Sequence, residues 1–138
     1  LALHVCRGNW SRDESVALTG PYTPIVPLFA TLPVGTFLLE MATPRAGELE
    51  PLKGLPADAR LGLGRVNQKL DRVEPVGDIV TRAEAAVALL GPDRVFLNPD
   101  CGFATFADNP LAPAEVAEGK LGAIVHAARL LRAKYFPG

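Results

Sequence analysis

The sequence predicts an α/β fold of parallel βα units, about four of them, which amounts to half of an eightfold barrel. Three observations predict it. Four short apolar runs, at residues 1–6, 36–41, 61–67 and 94–98, are bounded by glycine, proline or charged residues. Each has the length of a strand and none is long enough for a helix. Helical periodicity falls between and after them, and right-handed crossovers would put every strand's carboxyl end on one side.

The first run, Leu1-Ala2-Leu3-His4-Val5-Cys6, alternates large and small residues and begins with no cap, turn or initiator Met. It reads as a strand already under way, so the chain is expected to be a piece of something longer and this strand to be a sheet edge. Residues 22–32 place Ile25, Leu28, Phe29 and Leu32 at helical spacing, with Pro24 and Pro27 near the start. The second run contains Phe37-Leu38-Leu39-Glu40-Met41, and residues 46–52 after it suit a short helix or turn. Following the third run, residues 75–90 align Val76, Ile79, Val80, Ala83, Val87 and Leu90, and Gly91-Pro92 stops the helix. After the fourth run, residues 113–135 repeat the stripe through Ala117, Leu121, Ile124, Ala128 and Leu131, with Pro113 in the first turn. Repeats, low-complexity tracts and linkers are absent from the sequence, which reads as one domain over residues 1–138.

Composition excludes several classes of partner. Fourteen basic residues against 15 acidic ones leave a net charge of -1, which gives neither nucleic acid nor an anionic membrane a basic surface. Apolar runs stay short of the roughly 18 residues that a membrane span needs, and no signal-peptide pattern is visible. Two cysteines are too few for a disulfide framework, so a reducing cytoplasm is the expected setting.

The candidate chemistry lies at the strand ends. His4 and Cys6 are two apart and share a face. Glu40 sits inside an apolar run, where a carboxylate requires a partner. Cys101 follows the fourth run in Asn98-Pro99-Asp100-Cys101-Gly102. One imidazole, one carboxylate and two thiols on converging strand ends suit Zn²⁺, which accepts N, O and S ligands. Taken singly, each has a structural explanation: a cysteine as a small apolar residue, or Glu40 in a buried pair with Arg45 or Arg65. Asn98 and Asp100 either orient a ligand or cap the turn. Asn67, Gln68 and Lys69 either line the mouth or form a solvated loop. Asn9 and Trp10 follow the His-x-Cys turn, with Trp10 placed to pack on a helix or cover the site. His126 falls mid-helix and reads as a structural or surface histidine.

His4-Val5-Cys6, the isolated Glu40 with Pro44-Arg45-Ala46-Gly47, and Asn98-Pro99-Asp100-Cys101-Gly102-Phe103-Ala104 resemble the zinc motifs of the cobalamin-independent methionine synthase family. Together with Cys6-Arg7-Gly8-Asn9 they are most similar to its short, single-barrel bacterial branch, over essentially the whole chain. The resemblance implies the C-terminal half of a TIM-type (β/α)8 barrel, with His4, Cys6, Glu40 and Cys101 as zinc ligands. It implies a methyltransferase that moves a methyl group from a methyl folate to homocysteine, giving methionine. With these ligands the zinc site carries a charge of about -1, so it lowers a thiol pKa from about 8.5 while leaving the sulfur nucleophilic. Glu40 is then the ligand able to yield to substrate sulfur. The short branch differs in its surrounding motifs, which leaves a corrinoid or another carrier open as donor. Three rival readings are alkyl transfer to another thiol such as coenzyme M, a non-catalytic domain with structural zinc or a Cys6–Cys101 pair, and a half-barrel fragment whose site is empty because its other half is absent. The remaining substrate contacts would come from the N-terminal half, and the chain alone is expected to be inactive. It is expected beside that half or a second copy of itself.

Overall fold

The four apolar runs form one parallel sheet whose spatial order is the order of the chain, β1-β2-β3-β4. The computed structural model describes residues 1–8 and 10–138, without the side chains of Thr105 and Asn109. Asn9 therefore lies outside the described residues. The strands are β1 (Ala2–Val5), β2 (Thr36–Glu40), β3 (Arg60–Val66) and β4 (Val95–Pro99). β1 and β4 are the two edges of this sheet. The register aligns His4 with Leu38, Leu38 with Gly62 and Gly62 with Phe96. Leu3, Phe37, Leu61 and Val95 align in the same way one residue earlier.

Alternation along the strands separates two faces. One face presents Phe37, Leu39, Leu61 and Leu63, all fully buried, to a core that includes Tyr22, Phe29, Leu52, Ala83 and Ala86. Burying each leucine or phenylalanine there contributes about 1.5–3 kcal/mol. A smaller cluster of Val66, Ile79, Ala123, Ile124 and Ala127 joins the end of β3 to two long helices. These helices are α2 (Val76–Leu90) and α3 (Ala114–Tyr135), and a single turn, α1 (Val26–Phe29), precedes them. The α2 helix ends where the Gly91 N–H donates to the Val87 carbonyl at 2.7 Å, and Pro92 follows. On the opposite face His4 and Phe96 are exposed and Leu38 is half-buried. There the middle of β3 carries Gly62 and Gly64, and their missing Cβ atoms make room. A Cβ on Gly62 would collide with Leu38 and Asn98, and one on Gly64 with the Asp100 carboxylate.

Local structure departs from the sequence reading in one place, and refines or extends it in two others. The helix expected over 22–32 is one α-helical turn, because Pro24, Pro27 and Pro33 remove backbone donors along it. Residues 46–52 fall into two 3₁₀ turns, Pro44–Ala46 and Glu50–Gly54, separated at Gly47. Gly47 has φ +79°, and a Cβ there would sit 2.9 Å from the Pro21 backbone, so the helix breaks at a glycine. A small antiparallel hairpin, β5 (Ala104–Phe106) and β6 (Asn109–Pro110), follows Cys101 in a stretch to which the sequence reading assigned no element. Among the described residues, no helix is long and apolar enough to cross a membrane.

Candidate metal centre

The carboxyl ends of β1, β2 and β4 bring His4, Cys6, Glu40 and Cys101 to one place. One donor atom from each lies within 4.8 Å of the others. The His4 Nδ1 is 3.1 Å from the Leu38 carbonyl oxygen on the neighbouring strand. An N–H at Nδ1 donates there, which fixes the ring and leaves the Nε2 lone pair for a cation. The two cysteines are free, and their sulfurs are 3.9 Å apart. A Zn–S bond of about 2.3 Å sets a tetrahedral sulfur–sulfur edge of about 3.8 Å, so the spacing suits that geometry. Burial, and then the neighbouring Cys6, push the Cys101 thiol up to about 11. A thiol held protonated by burial and acidic neighbours becomes a thiolate when a cation is supplied, and this donor set fits zinc on that chemistry.

Glu40 is 1% exposed and both carboxylate oxygens have partners. The Arg7 backbone N–H donates to Oε1 at 2.9 Å, and Arg45 Nη2 donates to Oε2 at 3.3 Å. Of the two arginines considered from sequence, Arg45 is thus the partner, while Arg65 donates to the Met41 and Ala42 carbonyls. Arg45 also donates through Nε to Glu14 at 3.0 Å and through Nη1 to the Leu18 carbonyl at 2.9 Å. Arg7 and Tyr22 buttress the other side. The Arg7 guanidinium lies 4.1 Å from the Tyr22 ring centroid, and the Tyr22 hydroxyl donates to the Glu40 carbonyl at 3.0 Å.

Asp100 ties the strand ends together. Its Oδ1, in the space left by Gly64, accepts the Met41 N–H at 2.9 Å and the Ala42 N–H at 3.0 Å. Its own N–H donates to the Val66 carbonyl at 2.9 Å. Asp100 therefore fixes the residues after Glu40 against the residue before Cys101, acting through backbone. Burial is the main cause that pushes its carboxyl up to about 7, the two N–H groups oppose it, and Glu40 adds to it.

The other sequence candidates are spread around this point. Asn98 donates to the Pro99 carbonyl at 2.7 Å, which is turn capping. Asn67, Gln68 and Lys69 are buried, so the solvated-loop reading of them fails. Asn67 donates to Glu14 at 3.3 Å and accepts the Lys69 N–H at 2.9 Å. It also lines an open cavity of about 540 Å³ with Glu14, Thr43 and Arg45. A separate apolar hollow of about 290 Å³ lies at the amino end of β4, between Val95 and Tyr135, away from the donors. Trp10 is half-exposed with its ring over Gly8. His126 is an exposed residue of α3. The sequence reading missed Glu14, Arg7 and Tyr22. These sit in the irregular segment after β1, where no periodic signal marks a residue.

Known proteins carry similar sequences and folds. The family described as "Cobalamin-independent synthase, Catalytic domain" matches residues 18–129. The uncharacterized protein YxjG of Bacillus subtilis is 30% identical over 129 residues, 93% of this chain and 34% of its own length. The methionine synthase of Pyrococcus abyssi is 30% identical over 132 residues, 96% of this chain and 33% of its own length. The chain thus spans about a third of these curated relatives. The structure of a B12-independent methionine synthase from Shewanella sp. W3-18-1, in complex with selenomethionine, superposes with a TM-score of 0.79. That match has 18% identity and covers 96% of this chain and 38% of the other, a likeness of fold.

Proposed function

We propose a reaction from one premise: the chain belongs to the family of cobalamin-independent synthase catalytic domains. The reaction is transfer of a methyl group from a methyl folate or similar carrier to a thiol, homocysteine, giving methionine. Residues 1–138 are the C-terminal half of the barrel, and its N-terminal half supplies the remaining substrate contacts. The observation that carries this reading is the convergence of four donor atoms within 4.8 Å on three strand ends.

His4, Cys6, Glu40 and Cys101 would hold Zn²⁺, which when bound favours the thiolate of an incoming thiol at neutral pH. The residues of the chain do the rest. His4 is held in one tautomer by the Leu38 carbonyl, and Asp100 fixes the β2 and β4 ends at a constant separation. Two thiolates and a carboxylate give the centre excess negative charge, which keeps an arriving sulfur electron-rich and able to attack a methyl group.

The test is zinc content and methyl transfer measured together on the whole protein. Homocysteine is compared with coenzyme M, and methyl folate with a methylated corrinoid. Expected is about one zinc per chain, with transfer to homocysteine lost when a chelator removes the metal and restored by zinc. Full transfer by zinc-free protein would overturn the mechanism. A second reading, structural zinc in a non-catalytic domain, is favoured by one observation: four protein donors are enough to close a tetrahedron. A Co²⁺-substituted protein whose absorption spectrum ignores added homocysteine would support it.

A further inference from the structure

We propose that Arg45, anchored by Glu14, is a positioning residue that sets how strongly Glu40 binds metal and so makes it the weakest donor of the four. The inference rests on the metal-centre reading above. Among the described contacts, the partners of the four donors differ in charge. His4 is held by a neutral carbonyl, which orients the ring. Cys6 and Cys101 face each other. Glu40 faces a cation, with Arg45 Nη2 3.3 Å from Oε2 and the arginine side chain 9% exposed. A guanidinium that nearly fills one carboxylate oxygen competes with a metal ion for the same charge.

Arg45 is itself shared. Its Nε lies 3.0 Å from Glu14 Oε2, closer than its contact with Glu40. Glu14 is in turn held through Oε1 by Asn67 at 3.3 Å and Lys69 at 3.7 Å. A second link ties this network to the helical layer. The Asn67 N–H donates to Glu74 at 2.9 Å, and the fully buried Lys120 pairs with Glu74 at 2.8 Å. Glu14 draws Arg45 away from Glu40, and Arg45 draws Glu40 away from a metal. The two residues therefore act on metal affinity with opposite sign, which a merely structural role would not produce.

The experiment measures the Co²⁺ dissociation constant of the whole protein by chelator competition, following the absorption of the bound ion. Mutating outer partners of metal ligands typically costs about 10- to 100-fold in affinity; a similar scale is expected here, with the sign set by the partner's charge. Arg45→Met is expected to tighten Co²⁺ binding by about tenfold, and to raise the homocysteine concentration needed to shift the spectrum. Arg45→Lys keeps the charge and is expected to stay near wild type. Glu14→Gln is expected to weaken binding, because Arg45 then pairs more fully with Glu40. Weaker binding in both Arg45→Met and Glu14→Gln would overturn the proposal, as would an Arg45→Lys protein that behaves like Arg45→Met. If Arg45→Met fails to fold, unchanged or tighter binding in Glu14→Gln overturns it alone. Wild-type protein that takes up no Co²⁺ overturns the metal centre and this proposal with it, an outcome distinct from the others.

Discussion

The two faces of the sheet obey different rules, and β3 states both in four residues. Leu61 and Leu63 are fully buried on the helix side, whereas Gly62 and Gly64 on the other side place no side chain at all. The leucines contribute stability by excluding water. The glycines contribute vacancy, which Leu38, Asn98 and Asp100 occupy. The core face thus holds the sheet together, while the open face keeps the strand ends close enough for donors to meet.

If the division is real, the open face can lose its chemistry without losing the fold. On the proposed function, Cys101→Ser in the whole protein should abolish zinc uptake and methyl transfer together, since a hydroxyl is a much poorer ligand than a thiolate. Metal analysis and activity report the loss, and the unfolding midpoint of the metal-free protein should barely move. The core face should behave the other way. Leu63→Ala removes a side chain with no exposure and should cost about 2–5 kcal/mol in denaturant unfolding. Zinc per folded molecule should stay unchanged.

Gly64→Ala sharpens the comparison, because there the two faces meet. A Cβ would strike the Asp100 carboxylate, so a stability loss of about 1–3 kcal/mol should come with weaker metal binding. Loss of stability alone would show that Asp100 does not align Glu40 with Cys101.

A smaller effect is expected from pH. The Asp100 carboxyl, near 3.8 in the unfolded chain, is pushed up to about 7 in the folded one, chiefly by burial. Between those values the folded protein keeps a proton that the unfolded chain has lost. This contribution to stability is whole below the unfolded value and is lost as pH rises to about 7. The thermal midpoint of metal-free protein should fall across that window, by roughly 2–8 °C for each kcal/mol of stability lost. Asp100→Asn should flatten this part of the slope, and an unaltered slope would remove Asp100 as its source. The smallest change belongs to His126→Ala on exposed α3, which should move stability by less than about 0.5 kcal/mol and leave zinc content as it was.

Periodicity and bounded apolar runs made the sheet and the two long helices legible in sequence, with shifts of a residue or so. β3 starts at Arg60, and β4 runs Val95–Pro99. The segment 22–32 misled because Ile25, Leu28 and Phe29 have helical spacing, and the lost donors of Pro24 and Pro27 outweigh it. The meeting of the four candidate donors was legible because strand alternation aims His4 and Cys6 the same way, and because a short turn carries Cys101 directly off β4. Glu14 and Tyr22 were not. Their roles depend on how a long irregular segment folds back over β2, and contacts between residues far apart in sequence leave no local pattern.

Cys6 and Cys101 meet across a separation of 95 residues. A ribosome adding about 5–20 residues per second takes roughly 5–20 s to cover that stretch. During synthesis, then, the imidazole and first thiol emerge long before the second thiol exists, and Glu40 joins them about a third of the way through. On the proposed function, any ion caught in that interval would be held by at most three of the four donors, so the order of translation would delay the complete centre until β4 and Cys101 have been made.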